Sequence, residues 1–259
     1  MPLILKLLLV PSLIALVTLA GRRWGPGVAG WLSAFPIVSG PILLAIALEQ
    51  GSDFAAVAAA NTLLAVLAVL VFSVAYARMA AHAGVAACLG AALLAWALAV
   101  AVLQGVSVAP WVGFVLVAIA LLLAPRLIGQ RPATATVTAR PARDLPWRML
   151  AGAVLTAAVT QAASSLGPAL SGLFAMFPVM STVLVGFSHR ASGPGFAVAL
   201  LRGMVNGYYA FAVFCLALAL LLPGGAIGPA FLVATACALA VQLGVRRITA
   251  QRAGRLARI

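Results

Sequence analysis

The sequence predicts an all-α integral membrane protein of about nine transmembrane helices, arranged as two inverted four-helix repeats joined by one extra helix. Three observations carry this reading. Of 259 residues, 65% are hydrophobic and only 7% charged, whereas a soluble domain carries about 25% charged residues. Nine apolar runs each come close to the roughly 20 residues that a bilayer core demands. Finally, Gly30, Phe35, Pro36 and Ser39 return 142 positions later as Gly172, Phe177, Pro178 and Ser181.

Residues 2–20 form the first run. A cleaved signal peptide would need a positive n-region, which is missing, and Thr18 has a counterpart in Thr160, so the run is read as a helix. Pro11 is expected to kink it and Lys6 to snorkel to the near interface. The other runs cover about 26–48, 54–77, 83–103, 108–124, 148–166, 168–188, 195–222 and 227–245. The second and seventh carry the Phe-Pro pairs, and the eighth is long enough to tilt or to extend beyond the core. Residues 125–147, rich in Pro, Arg, Ala and Thr without apolar periodicity, read as a flexible cytoplasmic linker. The chain thus divides into a first repeat (1–106), a linking helix and linker (107–147), a second repeat (148–247) and a basic tail (248–259).

Charge orients this arrangement. Every odd-numbered connection is basic, while the even-numbered ones have no Lys or Arg, and the first of these carries Glu49 and Asp53. Fifteen of the sixteen basic residues therefore fall on one side, with Lys6 as the exception. The positive-inside rule puts the N-terminus outside and the C-terminus in the cytoplasm, as expected of a multi-pass protein of a bacterial inner membrane. The same distribution explains the net charge of +13 without nucleic acid.

Between residues 25–54 and 167–196, eight positions match at the offset of 142, among them Gly25/Gly167, Pro26/Pro168, Gly51/Gly193 and Phe54/Phe196. These are structure-setting residue types, and similarity within one chain implies duplication. Helices one to four match six to nine, so five helices separate equivalent elements, and an odd number inverts the second unit. Inverted repeats with broken helices meeting near the midplane recur in secondary transporters. Proline in a spanning helix removes one N–H and crowds the carbonyl four residues back. The freed groups are tolerated where they are buried in protein or line a polar cavity.

The pattern G-x-x-A-x-F-P-x-x-S, met at Gly30 to Ser39 and in related form at Gly172 to Ser181, followed by an apolar stretch, a short polar turn and another long helix, resembles the small GlpM-like bacterial membrane proteins. Those are about half this length and have been linked to alginate production. The resemblance implies an internally duplicated relative, a history in which a four-helix protein paired in opposite orientations and fused. It supplies no molecular activity.

No enzyme constellation is apparent: there is no HExxH, GxSxG or P-loop, and three acids supply no convincing catalytic dyad or metal site. The three cysteines read as small hydrophobes. Neither a cofactor nor a metal is expected. Glu49, Gln50 and Asp53 read as a solvated outer loop, with a cation entry point as the functional alternative. Polar residues within the helices are more informative. Thr156, Thr160 and Ser164 make a hydroxyl stripe at spacing four with Gln161 beside it, and Asn61, Thr62, Asn206, Tyr208, Tyr209 and Gln242 lie in other runs. Such groups serve either as interhelical hydrogen bonds or as the lining of a solute path.

The expected function is transport or flipping of a small or amphipathic solute by alternating access. The candidate substrate-binding residues are Phe35, Pro36, Ser39, Phe177, Pro178 and Ser181 at the breaks, with Thr160, Gln161, Asn61 and Asn206 nearby. Scarce buried charge favours a neutral, zwitterionic or lipid-like solute, although half-helix dipoles offer a place for an anion. The rival is a non-transporting accessory subunit of an envelope or exopolysaccharide system. Expected partners are the lipid bilayer and the unidentified solute, with a homodimer as the assembly left open and no nucleic acid.

Overall fold

The computed structural model describes residues 3–37, 39–129, 144–165 and 177–256. Their regular structure is helical throughout, with no strand among the described residues. In order, the helices are α1 (Leu3–Trp24), α2 (Pro26–Ser33), α3 (Ser39–Gln50), α4 (Ser52–Met79), α5 (Val85–Leu103), α6 (Pro110–Ile128), α7 (Leu145–Ser165), α8 (Val179–Leu221) and α9 (Ile227–Leu256). A 3₁₀ turn over Leu222–Gly224 joins the last two.

Six of these, α1, α4, α5, α6, α8 and α9, are long and apolar enough to cross a membrane. The chain is a multi-pass membrane protein. Sequence-predicted and observed elements differ in instructive ways. The second run is broken at its Phe-Pro pair as expected, with α2 stopping at Ser33 and α3 starting at Ser39. The seventh and eighth runs are two helices as expected, but they abut without a loop: α8 is divided by non-helical backbone at Gly193 (φ 82°, ψ 173°). Helix α1 continues through Pro11. The linker is shorter than expected, since α6 reaches Ile128 and α7 begins at Leu145, and the basic tail continues α9 to Leu256. The turn expected after Ser165, and the first half of the run over 168–188, lie outside the described residues, as does the centre of the linker.

Helix α8 is the spine on which the other elements are laid. Its second half packs so closely on α2 that no side chain fits between the backbones. A Cβ at Gly30 would collide with the carbonyl oxygen of Leu200, one at Gly203 with the carbonyl of Gly27, and one at Gly207 with Trp31. Small residues at such crossings replace the missing hydrophobic drive with backbone-to-backbone van der Waals contact. Around this crossing, Ile14, Leu63, Phe72, Tyr76, Phe214 and Leu218 are buried to below 2% exposure in one continuous core. Outward-facing Leu, Val and Trp on α5, α6 and α9 stay exposed, as lipid-facing positions require.

Candidate functional site: a cavity at two Phe-Pro breaks

Both Phe-Pro pairs fold into the same local structure. Ile37 N–H donates to the Phe35 carbonyl at 2.7 Å, and Val179 N–H donates to the Phe177 carbonyl at 2.8 Å. Each bond closes a three-residue turn centred on the proline. Pro178, with φ −80° and ψ 61°, has the inverse γ-turn geometry. A ring that fixes φ near −65° favours that turn, and proline has no N–H to leave unpaired. Helix then resumes identically, with Gly40 N–H donating to the Pro36 carbonyl at 2.8 Å and Thr182 N–H to the Pro178 carbonyl at 2.9 Å. The likeness extends twelve residues on, where Gly51 (φ 93°) and Gly193 (φ 82°) adopt the same left-handed backbone, a region glycine enters without steric cost.

Between the breaks lies a cavity of about 380 Å³. Six of the ten sequence-predicted residues line it: Phe35, Ser39, Thr160, Phe177, Pro178 and Ser181. The other four do not. Pro36 is buried behind the turn that it makes; Asn61 and Gln161 sit on exposed faces of their helices, and Asn206 is half-buried away from the cavity. For the asparagines the expected face was wrong by one or two positions. One residue along a helix is a rotation of 100°, and it is Thr62 and Tyr208 that face the cavity.

Several walls come in pairs at the offset of 142: Phe35 with Phe177, Ser39 with Ser181, Val66 with Tyr208, and Val69 with Phe211. Phe177 is held from behind by Trp96 of α5, which it meets edge-on at 5.2 Å, and the wall residues Tyr208 and Phe211 meet each other edge-on at 6.4 Å. Hydroxyls provide the polar part. Those of Ser33 and Thr62 donate to carbonyls of their own helices, Gly30 and Ala58, at 2.8 Å. Ser181 Oγ faces the Met204 sulfur at 3.6 Å. Thr156, only 7% exposed, has no hydrogen-bond partner among the described residues.

A second polar cluster lies on the same helix faces, farther along. Arg148 is eight residues from Thr156 and Ser188 is seven from Ser181, so each is about 10–12 Å along its helix from the cavity wall. Asp144 pairs with both Arg22 of α1 and Arg148, the latter at 2.8 Å. Arg148, 5% exposed, also donates to Ser188 Oγ at 3.2 Å and lies over the Phe187 ring at 5.5 Å. Next to it, Tyr76 Oη and His189 Nδ1 are 2.9 Å apart. Other basic residues also tie helix ends together: Arg78 and Arg202 donate to the carbonyls of Leu127 and Gly129, at 2.7 and 3.2 Å. By sequence these charges read as topology signals alone. The proximity of Asp144 to Arg148 at spacing four was the available sign of more.

The expected outer cluster plays no part in the cavity wall: Glu49, Gln50 and Asp53 are exposed and do not line the cavity. Of the cysteines, Cys88 and Cys215 are buried as expected of small hydrophobes, and Cys237 is exposed. No known protein family, curated protein or solved structure matches the chain.

Proposed function

We propose that this chain is a membrane transporter or flippase that carries a small or amphipathic solute by alternating access around the two Phe-Pro breaks. The observation that carries the reading is the cavity between those breaks, walled by four pairs of residues at one sequence offset. A packed, cavity-free midplane would have favoured the rival, an accessory subunit of an envelope or exopolysaccharide system. On this reading the nine apolar runs all cross the bilayer: α2 with α3 makes one crossing, α7 another, and α8 is divided at Gly193 into parts of two. The repeats are inverted, and the axis relating them passes through the cavity. The matching hydrogen bonds at Phe35 and Phe177 support the duplication, which also accords with an origin from a GlpM-like half-size ancestor. The chain is oriented in a bacterial inner membrane with its basic end in the cytoplasm, following the fifteen-to-one charge bias.

Rocking one repeat against the other then exposes the cavity to each side in turn. The experiment is uptake into proteoliposomes, with substrates screened as a metabolite mixture and read by mass spectrometry. Pro36→Ala and Ser181→Ala are expected to lower uptake of any transported solute at least tenfold while the folded yield stays near that of the parent. Unchanged uptake in both would leave the breaks as a packing solution and favour the accessory reading.

A further inference from the structure

We propose that His189 is a proton-binding site that controls the basic end of the cavity: with a neutral ring the helices around it stay together, and proton uptake favours the form in which they part. The inference rests on the transport reading and adds the ion that operates one of its two closures.

Three helices that wall the cavity meet again in one polar layer two turns farther on. From Val69 to Tyr76 on α4 and from Ser181 to Ser188 on α8 is seven residues, and from Thr156 back to Arg148 on α7 is eight. Such spacings keep each pair on one helix face and set the layer about 10–12 Å from the cavity wall. The layer is closed side chain to side chain. Tyr76 Oη lies 2.9 Å from His189 Nδ1, and Arg148 Nη1 donates to Ser188 Oγ at 3.2 Å. Tyr76 is fully buried, while Arg148 and His189 are 5% and 9% exposed. On the transport reading, α8 has to part from α4 and α7 here for the cavity to reach the basic end.

Within this layer the imidazole is the group whose ordinary titration falls near neutral pH. A neutral ring shares one hydrogen with Tyr76, in either direction. Protonation puts a hydrogen on both ring nitrogens and leaves Tyr76 only to accept. It also adds a second uncompensated charge, because Arg22 and Arg148 already share the single carboxylate of Asp144. The other two acids of the chain are out of reach: Glu49 and Asp53 flank the start of α4, about 35 Å along that helix from Tyr76. The neighbouring helices supply no negative charge either. Cys88 of α5, a buried thiol, lies beside Tyr76. Arg78 of α4, Arg126 of α6 and Arg190 of α8 are exposed cations, and Arg246 of α9 lies over Trp31. A buried charge without a counterion is costly, whereas water entering a parted layer solvates it. The closed form is therefore favoured above about pH 6.5, where an imidazole in water is neutral, and loses ground as the pH falls through that value.

The test uses Thr160→Cys in the full chain with the three native cysteines replaced by alanine, reconstituted in vesicles and labelled from the cytoplasmic face by an impermeant thiol reagent. Rates are divided by those of Ala135→Cys, which removes the pH dependence of the thiol reaction itself. Between about pH 7.5 and about pH 5.5 the normalised rate should rise about tenfold, the ratio that follows when only the open form takes up a proton at about pH 6.5. His189→Gln, which keeps a neutral partner for Tyr76, should label like the parent at the upper pH and show no rise; His189→Asn, a second neutral replacement, should match it. Tyr76→Phe and His82→Gln should both keep the rise, since each leaves the His189 ring in place. A flat profile in the parent overturns the proposal, as does a rise that persists in the His189 variants or vanishes in His82→Gln. A tenfold rise without labelling of Thr160→Cys from the outer face would sink the transport reading and leave the proton-operated closure standing. Labelling from both faces at a rate independent of pH would sink this proposal alone.

Discussion

At the Phe-Pro breaks the two halves of the chain carry the same pair of backbone hydrogen bonds, yet positions matched at the offset of 142 beyond the breaks are packed by different chemistry. At the basic end, Tyr76 meets His189, and Arg148 meets Asp144 and Ser188. The positions 142 residues away are Leu218 for Tyr76, Ala47 for His189 and Ile46 for Ser188. Leu218 and Ala47 are buried to 0% and 1% exposure in the apolar core. Polar networks are directional, and a half-made one is costly, whereas alkyl packing is non-directional and scales with buried area. The two halves thus share their breaks and differ in what packs at these matched positions. In the proposed alternating-access cycle the two packings would serve as closures that open at different costs.

The largest expected effect breaks the basic closure. Asp144→Ala removes the carboxylate shared by Arg22 and Arg148 and leaves the buried guanidinium with a single hydroxyl partner. Breaking a buried pair costs about 3–5 kcal/mol; because Asp144 is itself 32% exposed, about 2–4 kcal/mol is expected on that scale. Thermal unfolding in detergent reads this loss, and a change within error would show that the network adds nothing to closure.

A smaller effect tests the shared centre. In Gly30→Val the new side chain would enter the backbone of α8 at Leu200, and overpacking of this kind costs about 1–3 kcal/mol. Gly27→Val has open space around it and should be near neutral by the same assay. Equal effects at the two glycines would contradict the close α2–α8 crossing.

The smallest expected effect is Tyr76→Phe, which deletes only the hydroxyl facing His189. Interhelical hydrogen bonds in membranes average about 0.6 kcal/mol, so the unfolding midpoint should shift slightly. A loss comparable to that in Asp144→Ala would move the centre of the closure from the arginine to the histidine.

How much of this was legible in the sequence depended on the kind of signal. The breaks, their pairing and six of the twenty cavity-wall residues were readable because proline and glycine act locally and recur here at one spacing. Which face of a spanning helix turns inward was not readable at Asn61 or Asn206. In a soluble helix the apolar stripe marks the inside, but here both faces are apolar, so a polar residue alone does not say which side it faces. Arg148 was read as a topology marker, since a charge near a membrane boundary looks the same in sequence whether it meets a lipid headgroup or a buried carboxylate. How tightly the two parts of α8 join was hidden because Ser192, Gly193, Pro194 and Gly195 read as a loop. In the fold, one left-handed glycine followed by proline at the first turn of the next helix suffices.

The central claim is that the cavity opens to each side of the membrane in turn. The most direct measurement places a single cysteine at Thr160, half-buried in the cavity wall, in a chain whose three native cysteines are replaced. The chain is reconstituted in vesicles and exposed to an impermeant thiol reagent from either side. Ser52→Cys serves as the reference for the outer face and Ala135→Cys for the cytoplasmic one. The account predicts that Thr160→Cys is labelled from both faces and each reference from its own face alone. Labelling of Thr160→Cys from one face only, or from neither, would contradict it.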